Sequence, residues 1–288
     1  MTNRRHSLNK KMGSGLLFNF FESKKILEQK PDIDWFEVST EELIGFEANG
    51  FQFRNISTMK RLASQYPITL HGVELSIGSV DPIDPIYLRQ LKELIQLFKP
   101  SCVSDHLCWT GAMGIKTHEL LPLPYTEEAV SHVVEKINRV QDFLGVQIAL
   151  ENPPNYITYK HSEMSEWEFM SEIANRSDSG ILLDVSNLYV SSKNNNISTH
   201  QFLKGLPAQR IAQIHLAGFE KVKGFLLDTH SQPVSDEVWN LYQQVIAAFG
   251  PVSTNIEWDT KVPSFEVLCV EVNKAKEIQK KIDKNIAS

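Results

Sequence analysis

Cysteine is scarce in this 288-residue chain: Cys102, Cys108 and Cys269 are the only three, none is paired as C-x-x-C, and any pairing leaves one over. A disulfide framework and a thiolate metal site are therefore not expected, and a reduced, cytoplasmic setting is. Long apolar runs are also missing. No stretch approaches the ~18 residues of a membrane-spanning helix, so no membrane is expected as a partner. The basic start, Met1 to Lys11, is followed by no apolar core of the kind a signal peptide carries. Positive charge is not in excess, since 29 Lys and Arg against 35 Asp and Glu leave a net charge of −6. A dedicated nucleic-acid binder needs a basic face, so nucleic acid is not expected as a partner. Nucleotide and hydrolase signatures are absent too: Gly78, Gly111 and Gly114 form neither G-x-G-x-x-G nor a P-loop, and there is no G-x-S-x-G. The lysines of the C-terminal end (Lys274, Lys276, Lys280, Lys281 and Lys284) read as a solvated helix face.

What is present is an alternation of short apolar runs with longer amphipathic segments, the pattern of parallel βα units. Strands are expected over Gly15–Phe18, Trp35–Val38, Ile68–His71, Cys102–Asp105, Gln147–Glu151, Gly180–Asp184, Ile211–His215 and Asn255–Glu257. Helices are expected over Glu22–Gln29, Ser57–Tyr66, Pro85–Phe98, Thr126–Leu144, Ser165–Asn175, His200–Leu206, Asp236–Phe249 and Ser264–Ile282. Thr126 before two glutamates, and Ser165 with Glu168 three residues on, are helix-start signals. Eight strands and eight helices predict a single α/β (β/α)8 TIM barrel over residues 13–288, preceded by a flexible segment over residues 1–12.

In such a barrel the chemistry sits at strand C-termini and in the loops that follow them. His71, Asp105-His106, Glu151-Asn152, Asp184, His215 and Glu257 all fall at expected strand ends, and Asp228 and His230 fall in the loop after the seventh strand. His6, His132, His161 and His200 do not, and they read as structural; Cys108, beside one of these ends, reads as buried filler. Imidazole with carboxylate and without thiolate suits zinc, iron or manganese. Converging Glu151, Asp184, Asp228 and Glu257 would repel one another by about 4 kcal/mol per pair at ~4 Å and an effective dielectric of 20. Two or three divalent ions offset that repulsion. One does not, and one ion takes only four to six ligands. A multinuclear centre is therefore expected.

The strings HGVELSIGS (71–79), SDHLCW (104–109), ELLPLPYTEEA (119–129), LENPPNYI (150–157), LLDVSNLYVS (182–191), IHLAGF (214–219), LDTHSQPV (227–234) and IEWD (256–259) resemble the multinuclear non-haem iron-dependent oxidative enzymes, the methanobactin-biosynthesis oxidase-like family. The resemblance runs from about Gly13 to Val270 with the motifs in the family's order. It implies a xylose-isomerase-like barrel holding two to three irons in mixed Fe(II)/Fe(III) states. Such an enzyme uses O2 to modify residues, often cysteine, of a ribosomally made precursor peptide whose leader is presented by a small partner protein. Carried onto this chain, it assigns His71, His106, Glu151, Asp184, His215 and Glu257 to two principal irons and Asn187, Asp228 and His230 to a third. Asp105 and Asn152 would orient ligands. Ser186, Asn195 and Phe219 stand where many members carry Asn, His and His. The same ligand types also suit a metal-dependent hydrolase or isomerase of the trinuclear-zinc endonuclease or xylose isomerase type.

Overall fold

In the computed structural model, which describes residue 8, residues 11–47 and residues 50–287, eight parallel strands close on themselves. They are β1 (Ser14–Leu17), β2 (Trp35–Ser39), β3 (Ile68–Gly72), β4 (Val103–His106), β5 (Ala149–Glu151), β6 (Gly180–Asp184), β7 (Ile211–Leu216) and β8 (Thr254–Ile256). Sequential strands are neighbours and β8 pairs back onto β1. The expected barrel is the observed one. Of the N-terminal segment expected over residues 1–12, residues 1–7, 9 and 10 lie outside the described residues.

Strands enclosed by helices are buried on both faces, so they read as near-continuous apolar runs. Ile181, Leu182 and Leu183 of β6 and Phe36 and Val38 of β2 are all buried. Gly15 in β1 is required by its neighbour, because a Cβ there would lie 2.4 Å from the Trp35 ring. The helix-start signals operate as the sequence suggests. Thr126 accepts the amide of Ala129, and Ser165 and Glu168 form a reciprocal capping box. No helix among the described residues is long and apolar enough to cross a membrane.

Register brings the chemistry to one end. His106 of β4 pairs with Glu151 of β5, and Asp184 of β6 pairs with His215 of β7. Ligands from adjacent strands thus stand side by side at the C-terminal mouth.

A short helix over Thr40–Leu43 and a hairpin of Ile44–Glu47 with Gly50–Phe53 follow β2 where no element was expected, and two further features differ from the sequence expectation. A helix over Val185–Asn195 follows β6 directly, ahead of the expected helix near His200. Its residues (VSNLYVSSKNN) are rich in Ser, Asn and β-branched types, which favour other conformations locally. Packing supplies what propensity lacks, since Val185, Leu188 and Val190 are buried. Hairpins also occupy stretches read as loops: Trp109–Ala112 with Ile115–Leu121, and Phe219–Val222 with Phe225–Asp228. Each turns through two positive-φ residues, Met113-Gly114 and Lys223-Gly224, the conformation that two-residue hairpin turns require.

Candidate metal centre

Nine side chains converge where β3 to β8 end, and they are the nine metal-ligand candidates of the sequence. Glu151 is central. Its Oε2 lies 3.1 Å from His71 Nε2, 3.6 Å from His106 Nε2 and 3.6 Å from His215 Nδ1. Glu257 Oε2 is 2.9 Å from His215 Nδ1 and 3.6 Å from His230 Nδ1, and Asp228 Oδ1 is 2.9 Å from His230 Nε2. Two groups have ligand atoms within 4.8 Å of one another: His71, Glu151 and His215, and Asp184, His230 and Glu257.

Local structure aims each group. Asp184 caps the helix over Val185–Asn195, and its Oδ1 accepts the amide of Asn187 at 2.6 Å. That bond leaves Oδ2 without a partner and puts Asn187 on the first helical turn, facing the mouth. Asn187 Nδ2 donates to Glu151 Oε1 (3.3 Å) and to the Asn152 carbonyl (3.1 Å), so its Oδ1 is the free end. Gly218, just past β7, allows the loop carrying Asp228 and His230 to fold back. A Cβ there would stand 1.9 Å from the Gln232 carbonyl oxygen, and the Gly218 carbonyl accepts the His230 amide at 3.0 Å. Gly218→Ala is expected to push this segment outward and to cost about 1–3 kcal/mol by overpacking. Metal analysis of the variant should show loss from the Asp184–His230–Glu257 group first, and thermal melting should show the destabilisation.

The expected orienting residues act on ligand main chains rather than ligand side chains. Asp105 accepts the amides of His106 (2.8 Å) and Leu75 (3.2 Å). Asn152 brackets Asp184, accepting its amide at 2.9 Å and donating to its carbonyl at 3.0 Å. Three contributors were not singled out in the sequence. Glu37 of β2 lies against His215 Nε2 at 2.7 Å, Ser104 against His71 Nδ1 at 2.9 Å, and Asp259 against His230 Nδ1 at 3.0 Å. Glu37 had a readable signal, because a carboxylate inside an otherwise apolar buried strand needs a partner. The three departures from the resembled family make contacts of their own, and Phe219 is the cross-strand partner of Asp228. Ser186 bonds to Ala217, Asn195 donates to the Asn155 carbonyl, and Phe219 packs on Tyr189.

Burial and mutual proximity pull the titrations apart. Burial, reinforced by His106, holds His71 well below the usual imidazole range, and burial brings His106 down to about 4. Burial also opposes charge on His215 and His230, but Glu37 and Glu257 outweigh it at His215, and Asp228 and Glu257 do so at His230, so both are raised. Glu151 is driven well above the carboxylate range by burial, and Asp184 is pushed up to about 7 by burial and by Asp228. Strained carboxylates of this kind mark functional sites.

The donor set fits metal ions. His71 Nε2, Glu151 Oε2, Asp184 Oδ2, Asn187 Oδ1, His215 Nδ1, Asp228 Oδ1 and His230 Nε2 are buried and make no well-aligned hydrogen bond, their near polar neighbours being other candidate ligands of the centre. Native interiors leave few such atoms, and here they converge on one point. All are nitrogen or oxygen. Cys102 and Cys108 are buried with their thiols raised by burial, Cys102 to about 12, and Cys102 packs with Ala149, Leu182 and Ala212. Above the ligands opens a cavity of about 540 Å³ lined by His71, Glu74, Thr110, Lys116, Glu119 and Asp259 among others. Asn187 offers an amide oxygen, a weaker ligand than imidazole. Asn187→Ala is therefore expected to lower occupancy mainly beside Asp228 and His230 and to leave partial activity, read by metal analysis beside a turnover assay. Activity as low as that of a Glu151 variant would contradict the division into a principal pair and a third site.

A family model described as "RiPP precursor modification enzyme MbnB/TglH/ChrH" matches residues 11–280. A UPF0276 protein of Anaeromyxobacter sp. (strain Fw109-5) is 45% identical over 267 residues, covering 93% of this chain and 92% of that protein. A UPF0276 protein of Acaryochloris marina (strain MBIC 11017) is 42% identical over 263 residues, 91% of this chain and 93% of that one. Among solved structures, endonuclease IV from Thermus thermophilus superposes with a TM-score of 0.62 at 10% identity, covering 93% of this chain and 99% of that one. D-psicose 3-epimerase from Clostridium cellulolyticum H10 gives 0.61 at 12% identity, with 94% and 99% covered. These two likenesses concern the fold, which is that of xylose-isomerase-like TIM barrels.

Proposed function

We propose, from the premise that the chain belongs to the MbnB/TglH/ChrH family of RiPP precursor modification enzymes, that it is an O2-dependent, multinuclear non-haem iron oxidase acting on a cysteine of a precursor peptide. The observation that carries this reading is the set of convergent nitrogen and oxygen atoms from four strands and the segments that follow them, with room for more than one ion. Iron, when bound, supplies one-electron chemistry with O2 and lowers the pKa of a coordinated thiol. His71, His106, Glu151, Asp184, His215 and Glu257 would hold the principal pair, and Asn187, Asp228 and His230 a third ion.

The chain's own residues do the rest. Glu151 is reached by three imidazoles, and one of them, His215, links the two groups of ligands through its Nδ1, 2.9 Å from Glu257 Oε2. Asp105 and Asn152 fix the main chains of His106 and Asp184, which keeps the ligands in place when substrate enters. The cavity walls receive the peptide. Lys116 is the one lysine or arginine lining the cavity among the described residues, and Glu74 engages it at 2.5 Å. A phosphodiester backbone would find no unpaired lysine or arginine there among the described residues, which favours a peptide over nucleic acid.

Leader recognition is assigned to a separate small protein docked beside the mouth. Support comes from the exposed apolar residues carried around it: Met113 and Ile115 on one hairpin, Phe225 on the other, and Ile157 after β5. Co-expression with a short cysteine-bearing precursor peptide, should one be encoded beside the gene, with and without any small protein encoded next to it, tests the whole reading. A peptide mass change that requires this chain and is strengthened by the neighbour supports it. A peptide of unchanged mass with all three present contradicts it.

A further inference from the structure

The four histidines of the centre do not face it the same way. His71 turns Nδ1 to the Ser104 hydroxyl (2.9 Å), His106 turns Nδ1 to the Gly72 carbonyl (3.1 Å), and His230 turns Nδ1 to Asp259 (3.0 Å). Each of these leaves Nε2 toward a carboxylate of the centre. His215 is reversed. Its Nε2 lies 2.7 Å from Glu37 Oε1, and its Nδ1 faces Glu257 and Glu151.

The partner behind His215 also differs in kind. Two of the other backing groups are neutral, and the third, Asp259, has a side chain 48% exposed. The Glu37 side chain is 0% exposed. It sits at the barrel axis and is anchored by strands on both sides. Thr69 of β3 donates to its Oε2 at 2.9 Å, Asn255 of β8 donates to its Oε1 at 2.8 Å, and Gln213 of β7 also donates to it. Water does not screen this contact, so a carboxylate there acts at close to full strength.

Gln213 Nε2 also stands 3.0 Å from His215 Nε2. Without Glu37, His215 could accept that proton at Nε2 and carry its own on Nδ1, the nitrogen that faces the centre. A carboxylate oxygen at 2.7 Å forbids that arrangement, because a bare nitrogen lone pair would face an anion.

We infer that Glu37 is a positioning residue that keeps the His215 proton on Nε2, so that His215 meets its metal ion through Nδ1 and as the strongest donor of the four histidines. This rests on the metal reading above. A hydrogen-bonded carboxylate behind a ligating histidine fixes its tautomer and raises its basicity, and its removal typically weakens metal affinity by ~10–100-fold. The centre is thereby asymmetric: His215 is a more basic imidazole than His71 and His106, which are backed by neutral groups.

Zinc(II), which is diamagnetic, is the probe for the test. In wild-type protein labelled with ¹⁵N-histidine and loaded with zinc, the correlation spectrum should contain one histidine bound through Nδ1 with its proton on Nε2. Glu37→Gln preserves shape and lets the competing tautomer form. It should blur or remove that signature and weaken the zinc ion at His215 by roughly 10–100-fold in calorimetry, with the signals of His71 and His106 in place. Thr69→Val withdraws one donor from Glu37 without touching His215. It should give a smaller fall at the same ion, and it serves if Glu37 variants fold poorly. A Glu37→Gln protein, or failing that a Thr69→Val protein, with wild-type zinc affinity and an intact Nδ1 signature would overturn the inference alone. A wild-type chain that takes up no metal would overturn the metal reading with it.

Discussion

Glu151→Ala is expected to bring peptide modification down to background and to strip the chain of most of its metal. The carboxylate stands within 3.6 Å of nitrogens from His71, His106 and His215, which reach it from three strands. Asn187 points its donor at the same group, so the substitution also leaves that amide without one of its two acceptors. Catalytic metal sites depend on a complete and rigid ligand set, and one missing ligand is felt by every ion that shares it. Stability should move the other way. Burial drives Glu151 far from its ordinary ionisation, so the metal-free wild type carries a carboxyl the fold does not favour. The metal-free variant should therefore melt no lower than metal-free wild type, while losing the stabilisation that metal confers. Metal analysis and paired melts check this. A variant that keeps its metal and turns over would remove Glu151 from the centre.

Chelation of the loaded protein gives the second large effect. A ligand at 100 times its Kd stabilises the folded state by about 2.7 kcal/mol, which for a chain of this size corresponds to roughly 4–5 °C in Tm. The size should depend on pH through Asp184. Its carboxyl is pushed up to about 7 from 3.8, so the protonated form favours the metal-free fold. That contribution is complete below about pH 4 and is lost as pH rises through about 7. Metal needs the ionised form, and binding releases the proton. His106, brought down to about 4, is neutral between about pH 6 and pH 8 and does not oppose the trend there. The gap in Tm between loaded and chelated protein should be larger near pH 8 than near pH 6, with proton release on loading greater near pH 6. A gap that shrinks with rising pH would contradict the role given to Asp184.

The barrel was legible because its strands are buried on both faces and therefore read as short, mostly apolar runs whose ionisable residues gather at their C-terminal ends. That rule also located His71, His106, Glu151, Asp184, His215 and Glu257, which the register then sets side by side. The helix over Val185–Asn195 was not legible, because its Ser and Asn content argues against helix and only packing reverses that preference. The hairpins were read as loops, although Met113-Gly114 and Lys223-Gly224 carried a turn signal between short alternating runs. Asp228 was expected in an irregular loop and instead ends a hairpin strand, where its amide donates to Tyr156 Oη at 2.8 Å. Glu37, whose signal was readable, was passed over for a different reason. A barrel keeps its chemistry at strand ends, and Glu37 lies in mid-strand, below the ligands rather than among them. Asp105 and Asn152 stand next to ligands in sequence, and adjacency in the chain is why they hold ligand main chains.

The central claim is that this centre uses iron and O2 on a peptide. Protein loaded anaerobically with Fe(II) should be mixed with its precursor peptide in air-equilibrated buffer while O2 is followed with an electrode and the peptide by mass spectrometry. The account predicts O2 consumption that requires the peptide, tracks the peptide's mass change and vanishes when the peptide's cysteine is replaced or when zinc is loaded instead of iron. Peptide modification by the zinc-loaded protein, or modification that proceeds unchanged without O2, would contradict it.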